Sequence, residues 1–374
     1  MSLIDLEPAK ARAGQLFCAC DADAPDDVAV AEQTGLVPIA LGFGLTIVVQ
    51  ALLIAVLPIA GAEIAPQPFL ATLPYALTLV GALAASLPAA ILSDVIGRKS
   101  AFALGASLGL AGAVLAAWSL VERNFAGLAL GGFWLGAAQG FGFFFRHSAA
   151  LASKHKARAI AIVLGAGSLA ALASPTLMSL AERAAGPLAP SAALLIAGAV
   201  QVLLLALSLA LPSKPLTAAK ASETVPADSV FLIATVAGFL AWFGMALMMA
   251  ASPIAMAHCG IGLGGRSEVI SWHILAMYAP AALLGFLRKQ RGDVFCLVGL
   301  AMLAGSIAVM THLSSFVDFG LTLIAAGCGW SLTMFGAMLM LHARGALARP
   351  MLALHDTALF SGAMIGALAA AFLH

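Results

Sequence analysis

Four side chains that bind soft metal ions stand at helical spacing in one stretch of the second half of the chain. Met245 and Met249 are four residues apart, and His273 and Met277 repeat that spacing. Residues four apart share one face of a helix, so each pair would point into one space. Thioether and imidazole ligands suit a soft ion such as Cu(I) and suit Mg²⁺, Ca²⁺ or Mn²⁺ poorly. The stretch therefore predicts a copper site between two neighbouring helices.

The methionines of the chain are concentrated in its second half. Fourteen are present, and only Met1 and Met178 precede residue 229. Methionine is also an ordinary gap-filler in packed helices, so packing is the competing interpretation for each one taken singly. His273 carries more information, because an ionisable ring inside an apolar span is rare and is usually functional. Its alternative is a histidine that is hydrogen-bonded to a neighbouring helix.

Two further groups of residues with soft metal-binding side chains flank this candidate site. Met256, His258 and Cys259 lie where the first of the two helices ends. They are either an entrance that collects metal or a polar helix terminus. Met334 and Met338 share one face of a later helix and are either an exit path for the metal or packing residues.

The composition is that of an integral membrane protein. Hydrophobic residues make up 62% of the 374 residues and charged residues only 9%, whereas a soluble domain carries about a quarter charged residues. A formal net charge of +1 leaves no basic domain for nucleic acid. The five cysteines have no zinc-binding spacing, and Cys18 and Cys20 either pass a metal along or have no role. No nucleophile–base pair or cofactor motif occurs, so neither an enzyme nor a bound cofactor is expected.

The chain divides into a tail, two helical halves and a linker. Residues 1–35 hold seven acidic and two basic residues without apolar periodicity, which predicts a flexible tail. Residues 36–211 and 229–374 hold the apolar runs and would form two helix bundles. Residues 212–228 are a polar connector that contains helix-breaking prolines.

Eleven apolar runs are long enough to span a bilayer. They lie near residues 36–60, 68–92, 100–121, 125–145, 159–181, 188–211, 229–257, 267–287, 294–311, 316–341 and 350–373. The chain stops directly after the eleventh run, so we expect a twelfth span to be absent. Lipid or a membrane partner would then lie against the eleventh span.

Basic residues predict the orientation of these spans, because they concentrate in cytoplasmic loops. One set of alternate loops holds Arg98, Lys99, Arg146, Lys154, Lys156, Arg158, Lys214, Lys220, Arg288, Lys289, Arg291, Arg344 and Arg349. The other set holds only Arg123, Arg183 and Arg266, each within two residues of a glutamate. The first set is therefore expected in the cytoplasm, together with the N-terminal tail.

A basic turn after the second span resembles the signature of the major facilitator superfamily of membrane transporters. The turn contains Asp94, Gly97, Arg98 and Lys99, and a second basic turn follows the eighth span. Ala90 stands where that family usually has a leading glycine. The resemblance implies two pseudo-symmetric six-helix bundles, and a turn that latches the two halves in one of two arrangements.

Within that superfamily, the Met245/Met249 and His273/Met277 pairs resemble the CcoA-type copper importers. The resemblance implies import of copper, as Cu(I), across the bacterial plasma membrane, for the assembly of cbb-type haem-copper oxidases. It also implies the copper ion, the lipid bilayer and a cytoplasmic copper acceptor as partners. Reported riboflavin-type carriers of the same branch share the His273 to Pro280 stretch, so the methionine pair is the sharper signal for copper.

Two other functions remain open from the sequence. A carrier of a small organic solute, such as a flavin or a drug, would use an aromatic cavity that includes Trp242, Trp272 and Tyr278. A membrane assembly or scaffold factor could also use a transporter fold. His355 and Asp356, near the start of the eleventh span, are either proton-coupling groups or interfacial helix caps.

Overall fold

The computed structural model describes most of the helical chain. It covers residues 36–67, 70–151, 155–211, 228–261, 263–287, 289–343, 347 and 349–370. The acidic tail with Cys18 and Cys20, the linker up to residue 227 and the side chain of Asp94 lie outside the described residues. The predictions made for them stay predictions.

The described residues form eleven long α-helices and one short α-helix, with no strand in the described ranges. The helices are α1 (Leu36–Ile64), α2 (Leu73–Val95), α3 (Gly97–Val121), α4 (Phe125–Phe143), α5 (Phe145–Leu151), α6 (Lys156–Ala185), α7 (Ala189–Leu209), α8 (Ser229–His258), α9 (Leu263–Leu284), α10 (Gly292–Val309), α11 (Phe316–His342) and α12 (Arg349–Ala369). Eight described stretches are long and apolar enough to cross a membrane, and one of these covers α6 and α7 together. The all-helical membrane architecture predicted from the composition is confirmed.

Local signals explain where three of these helices begin. The Asn124 side chain accepts a hydrogen bond from Gly127 N at 2.9 Å and caps α4. Ser315 and Asp318 form a reciprocal capping box at the start of α11, with contacts of 3.2 and 3.0 Å. Gly97 has φ +82°, which a residue with a side chain adopts only with strain. It therefore allows α3 to start directly after α2 ends.

The helices pack as two halves, α1–α7 and α8–α12. The halves meet chiefly where α9 packs on α6 and where α12 packs on α2. Glycines let corresponding helices approach closely in each half. A methyl group added at Gly112 of α3 would lie 2.9 Å from the Gly131 carbonyl oxygen of α4, and one at Gly329 of α11 would lie 2.7 Å from the Gly299 carbonyl oxygen of α10.

Several basic residues gather at one end of the bundle. The α2–α3 turn, the connection through α5 and the α9–α10 turn all fall at this end, which carries Arg98, Arg158 and Lys289. We call it the basic end, and the end that carries the α3–α4 and α8–α9 turns the opposite end. Arg158 at the basic end lies over the Phe286 ring, 5.2 Å from its centroid, so these turns pack on one another.

The described helices cover the two halves unequally. In the first half α7 packs on α3 and α1, whereas no described helix takes the corresponding place on α10 and α8. The α10 helix is the least buried of the spans, and Leu297 on it is 72% exposed. The eleventh span, α12, instead packs against α8 and α2. The least covered helix is therefore α10, and contact of lipid or a partner with the eleventh span stays a prediction.

Candidate functional site

A small cavity of about 40 Å³ lies between the two halves. Helices α8 and α9 form one wall, α1 and α2 form the facing wall, and α12 contributes one residue. The lining residues are Ile47, Gln50, Ala51, Ile54, Tyr75, Leu79, Trp242, Met245, Ala246, Met249, Ile274, Met277, Tyr278 and Ala363. No charged side chain occurs among these described lining residues, so the cavity suits an uncharged group or an ion held by neutral ligands.

The structure brings the four residues of the predicted copper site together. Met245, Met249 and Met277 line the central cavity. His273 is fully buried beside them, and its Nε2 atom lies 3.0 Å from the Met245 Sδ atom. The predicted i, i+4 faces therefore do point into one space, while metal binding by this group stays a prediction.

A backbone contact fixes which nitrogen of His273 faces Met245. The Nδ1 atom lies 2.6 Å from the Leu323 carbonyl oxygen on α11. A carbonyl oxygen can only accept a hydrogen bond, so Nδ1 must carry the proton and donate it. The neutral ring then presents the Nε2 lone pair to the thioether sulfur. Metal-binding histidines commonly have this arrangement, in which the second nitrogen is held by a carbonyl oxygen.

Aromatic rings form a cluster that extends from the cavity wall into the contact between the halves. Trp242 and Tyr278 each pack nearly perpendicular to Trp330, at ring-centroid distances of 5.6 and 5.4 Å. Phe143 of the first half contacts Trp242 at 5.6 Å, so the cluster joins the halves. Trp272 is 52% exposed and does not line this cavity. Its assignment to an aromatic cavity is wrong, because its side chain is exposed and is not part of the cavity wall.

The polar atoms of this cluster have few partners. The Trp242 Nε1, Tyr278 Oη and Trp330 Nε1 atoms are buried and have no hydrogen-bond partner among the described residues. Gln50 and Tyr75 add polar groups from the first half. Sequence analysis missed Gln50, Tyr75 and Trp330, because no spacing links residues from different helices. These three residues could have been found only as polar or amphipathic side chains that interrupt an apolar span.

A buried ion pair joins the two halves on the basic-end side of this cluster. Arg146, at the start of α5, pairs with Asp356 of α12, and both side chains are at most 2% exposed. The Arg146 guanidinium also lies 5.8 Å from the centroid of the Phe143 ring. The loop position predicted for Arg146 and the interfacial cap considered for Asp356 are wrong, because both side chains are buried and pair with each other inside the protein. The proton-coupling role considered for Asp356 stays a prediction.

The residues of the predicted latch sit in the α2–α3 turn. Gly97 has the positive φ that this turn requires, and the side chains of Arg98 and Lys99 are half-buried. Since the side chain of Asp94 lies outside the described residues, the latch itself stays a prediction.

The residues of the predicted entrance and exit separate in the structure. Met256 is fully buried, whereas His258 and Cys259 are exposed at the end of α8. The three therefore do not form one metal-collecting group, because the helix turns Met256 inward. Met334 and Met338 are both buried in α11 and do not line the central cavity. Their role as an exit path stays a prediction.

Comparisons with known proteins identify relatives of this chain. No family model matches the chain. The chain is 30% identical over 295 residues to the riboflavin transporter RfnT of Brucella anthropi, a match that covers 75% of this chain and 73% of RfnT. It is 27% identical over 292 residues to the uncharacterized MFS-type transporter YdeG of Bacillus subtilis, covering 70% of this chain and 66% of YdeG.

A solved structure shares the fold. The human organic anion transporter MFSD10 superposes with a TM-score of 0.69 over 91% of this chain and 93% of its own, at 16% sequence identity. Identity this low supports a common fold only. The arrangement of two helical halves around a central cavity is thus one that known transporters have.

Proposed function

Since the chain belongs to the major facilitator superfamily, we propose that it carries a small, uncharged, planar organic solute of the riboflavin kind through the central cavity. Membership of this superfamily confirms the predictions that the protein is a multi-pass membrane transporter and is not an enzyme. The RfnT relative, a riboflavin transporter, supports this solute class at 30% identity. It favours the organic-solute alternative over the copper importer that the sequence analysis placed first.

The observation that carries the proposal is the aromatic wall of the cavity. Trp242 and Tyr278 line it, and their N–H and O–H groups are buried without partners in the described part of the chain. A planar aromatic solute would pack against these rings and accept their hydrogen bonds. Gln50, on the facing wall, would offer both a donor and an acceptor. A charged solute would be costly here, because no lining residue compensates its charge.

The cavity must open for such a solute to bind. Its volume of about 40 Å³ holds only a few water molecules, so the walls must separate. The Arg146–Asp356 pair holds the halves together on the basic-end side. We therefore propose that this conformation is closed at the basic end, and that the solute enters from the opposite end. By the distribution of basic residues, the basic end and the N-terminus would face the cytoplasm.

Uptake by proteoliposomes tests the proposal. Purified protein should take up radiolabelled riboflavin in a saturable way. Trp242→Leu should remove most uptake, and Tyr278→Phe should weaken it about 2- to 10-fold through loss of one hydrogen bond. Trp272→Leu is the matched control, because Trp272 is half-exposed away from the cavity. Equal uptake by the Trp242 and Trp272 variants would contradict the proposed binding site.

Import of Cu(I) is a second candidate, favoured by one contact. The His273 Nε2 lone pair faces the Met245 sulfur at 3.0 Å, and two more thioethers line the same cavity. Both atoms carry lone pairs, so they could serve as neighbouring ligands of one soft cation. A soft cation would be held there by neutral ligands that leave it free to dissociate.

Copper uptake separates the two candidates. The Met245→Leu, Met249→Leu double variant keeps the apolar packing and removes two sulfurs. Met248→Leu is the control, since Met248 is buried on the same helix but does not line the cavity. The copper candidate would be favoured if the double variant lost Cu(I) accumulation, the Met248→Leu control kept it, and no form of the protein took up riboflavin. Unchanged copper accumulation in the double variant would remove the copper candidate.

A further inference from the structure

A second cavity lies inside the first half, away from the central one. It is bounded by α1, α3, α4, α5 and α7, and its volume of about 10 Å³ is close to that of one water-sized sphere. Four polar side chains face it from three helices: Thr46, Gln139, Gln201 and Ser208. Polar groups at membrane depth are costly and usually functional, so the cavity needs an explanation.

The two glutamines present carbonyl oxygens that lack a partner. Gln139 is 5% exposed and Gln201 is 2% exposed. Each has a buried Oε1 atom with no hydrogen-bond partner within the described ranges. The Gln139 amide nitrogen donates to the Thr46 carbonyl oxygen at 3.3 Å, so its carbonyl oxygen is the atom that remains. A buried acceptor without a hydrogen-bond partner destabilises the protein unless a ligand satisfies it.

The two hydroxyl groups also offer lone pairs. The Thr46 hydroxyl donates to the Gly42 carbonyl oxygen at 2.8 Å, and the Ser208 hydroxyl donates to the Leu204 carbonyl oxygen at 2.7 Å. Because each proton is engaged within its own helix, each oxygen can act toward the cavity only as an acceptor. The site therefore combines four neutral side-chain oxygens.

Two glycines make the space that this arrangement needs. A methyl group at Gly142 would lie 2.5 Å from the Thr46 hydroxyl oxygen, and one at Gly109 would lie 2.5 Å from the Gln201 amide nitrogen. Any larger residue at either position would push a polar side chain out of place. The backbone is thus shaped around the polar groups.

We propose that this cavity binds Na⁺. Hard cations prefer oxygen ligands, and carbonyl dipoles can replace the hydration shell of a monovalent ion inside a membrane protein. A divalent ion does not fit, because no carboxylate lines the cavity to compensate its charge. A space of about 10 Å³ is large enough for one monovalent ion without its hydration shell.

The α1 helix connects this ion to the central cavity. Thr46 faces the Na⁺ cavity, while Ile47 and Gln50 on the same helix line the central one. An ion that holds Thr46 in place would therefore fix the wall that contacts the transported solute, so Na⁺ would raise the affinity for the solute. This second step rests on the proposed function, whereas Na⁺ binding itself does not.

Direct binding of ²²Na⁺ to the purified full-length protein tests the site. We expect saturable binding that is at least tenfold weaker in the Gln139→Met, Gln201→Met double variant. Gln50→Met is the matched control, because it removes an amide from the other cavity, and it should bind Na⁺ normally. If the glutamine variant does not fold, Thr46→Val with Ser208→Ala removes two oxygens at nearly constant volume and should also weaken binding.

Thermal unfolding gives an independent measurement. The wild-type Tm should rise by a few degrees in NaCl relative to KCl or choline chloride at the same ionic strength, since a ligand that binds only the folded state stabilises it. The double glutamine variant should lose this difference. Absence of saturable binding, or equal Tm values in all three salts, would mean that the cavity holds only a water molecule and would overturn the proposal.

Solute uptake separates this proposal from the proposed function. Saturable Na⁺ binding without uptake of riboflavin under any ion gradient would leave the Na⁺ site standing and remove the solute assignment. Riboflavin uptake by a protein that binds no Na⁺ would support the solute assignment and remove the Na⁺ site.

Discussion

The Arg146–Asp356 pair allows the sharpest test of how the two halves are held together. Both side chains are at most 2% exposed, so neither charge can be screened by water once its partner is removed. Loss of one partner of such a buried pair costs about 3–5 kcal/mol, mostly because the other charge stays buried. Asp356→Asn keeps the size of the side chain and removes only its charge. At about 2–4 °C per kcal/mol, its Tm should fall on the order of 10 °C.

Two comparison variants make this prediction specific. Asp293 forms an ion pair with Arg291 in which the Arg291 side chain is 72% exposed and the Asp293 side chain 58% exposed. Asp293→Asn removes the negative charge of this exposed pair and should change the Tm little. The Arg146→Met, Asp356→Leu double variant replaces both buried charges by apolar groups and should recover most of the lost stability.

The assay is thermal unfolding of purified protein in one detergent, with matched protein and salt concentrations. A Tm of Asp356→Asn equal to that of Asp293→Asn would refute the argument that the buried charge is uncompensated. A double variant as unstable as the single one would show instead that the loss comes from packing.

Three further predictions concern a positive backbone φ, a close contact at a glycine and a helix cap. Gly97→Ala should lower stability by about 1–2 kcal/mol, because its φ of +82° is unfavourable for alanine; an unchanged Tm would contradict this. Gly42→Ala should lower the free energy of unfolding by about 1–3 kcal/mol, since the new methyl group would lie 2.6 Å from the Phe145 ring. Gly305→Ala is the control and should not destabilise the protein, because nothing lies within 4 Å of the new methyl group. The Tm values of the two variants test this difference. Ser315→Ala should cost about 1 kcal/mol by removing the cap of α11, which hydrogen exchange at the first turn of that helix would detect.

Several features of the protein followed from the sequence alone. The low content of charged residues and the long apolar runs determined that the chain is a helical membrane protein, because a bilayer accepts only segments that satisfy their own backbone hydrogen bonds. The i, i+4 spacing also placed Met245 and Met249 on one face of a helix, and His273 and Met277 on one face of the next helix. Helical periodicity is local, so spacing within one helix can be read without knowing the fold.

Other features depended on contacts between helices that are distant in the chain. Arg146 and Asp356 are 210 residues apart, and nothing in either local sequence indicates that they meet. The same applies to Gln139 and Gln201, which face one cavity from α4 and α7, and to Trp272, which shares α9 with Tyr278 but lies outside the cavity. Which residue faces another half is set by how whole helices rotate and pack. That rotation depends on the sum of many side-chain contacts, so only the tertiary structure decided it.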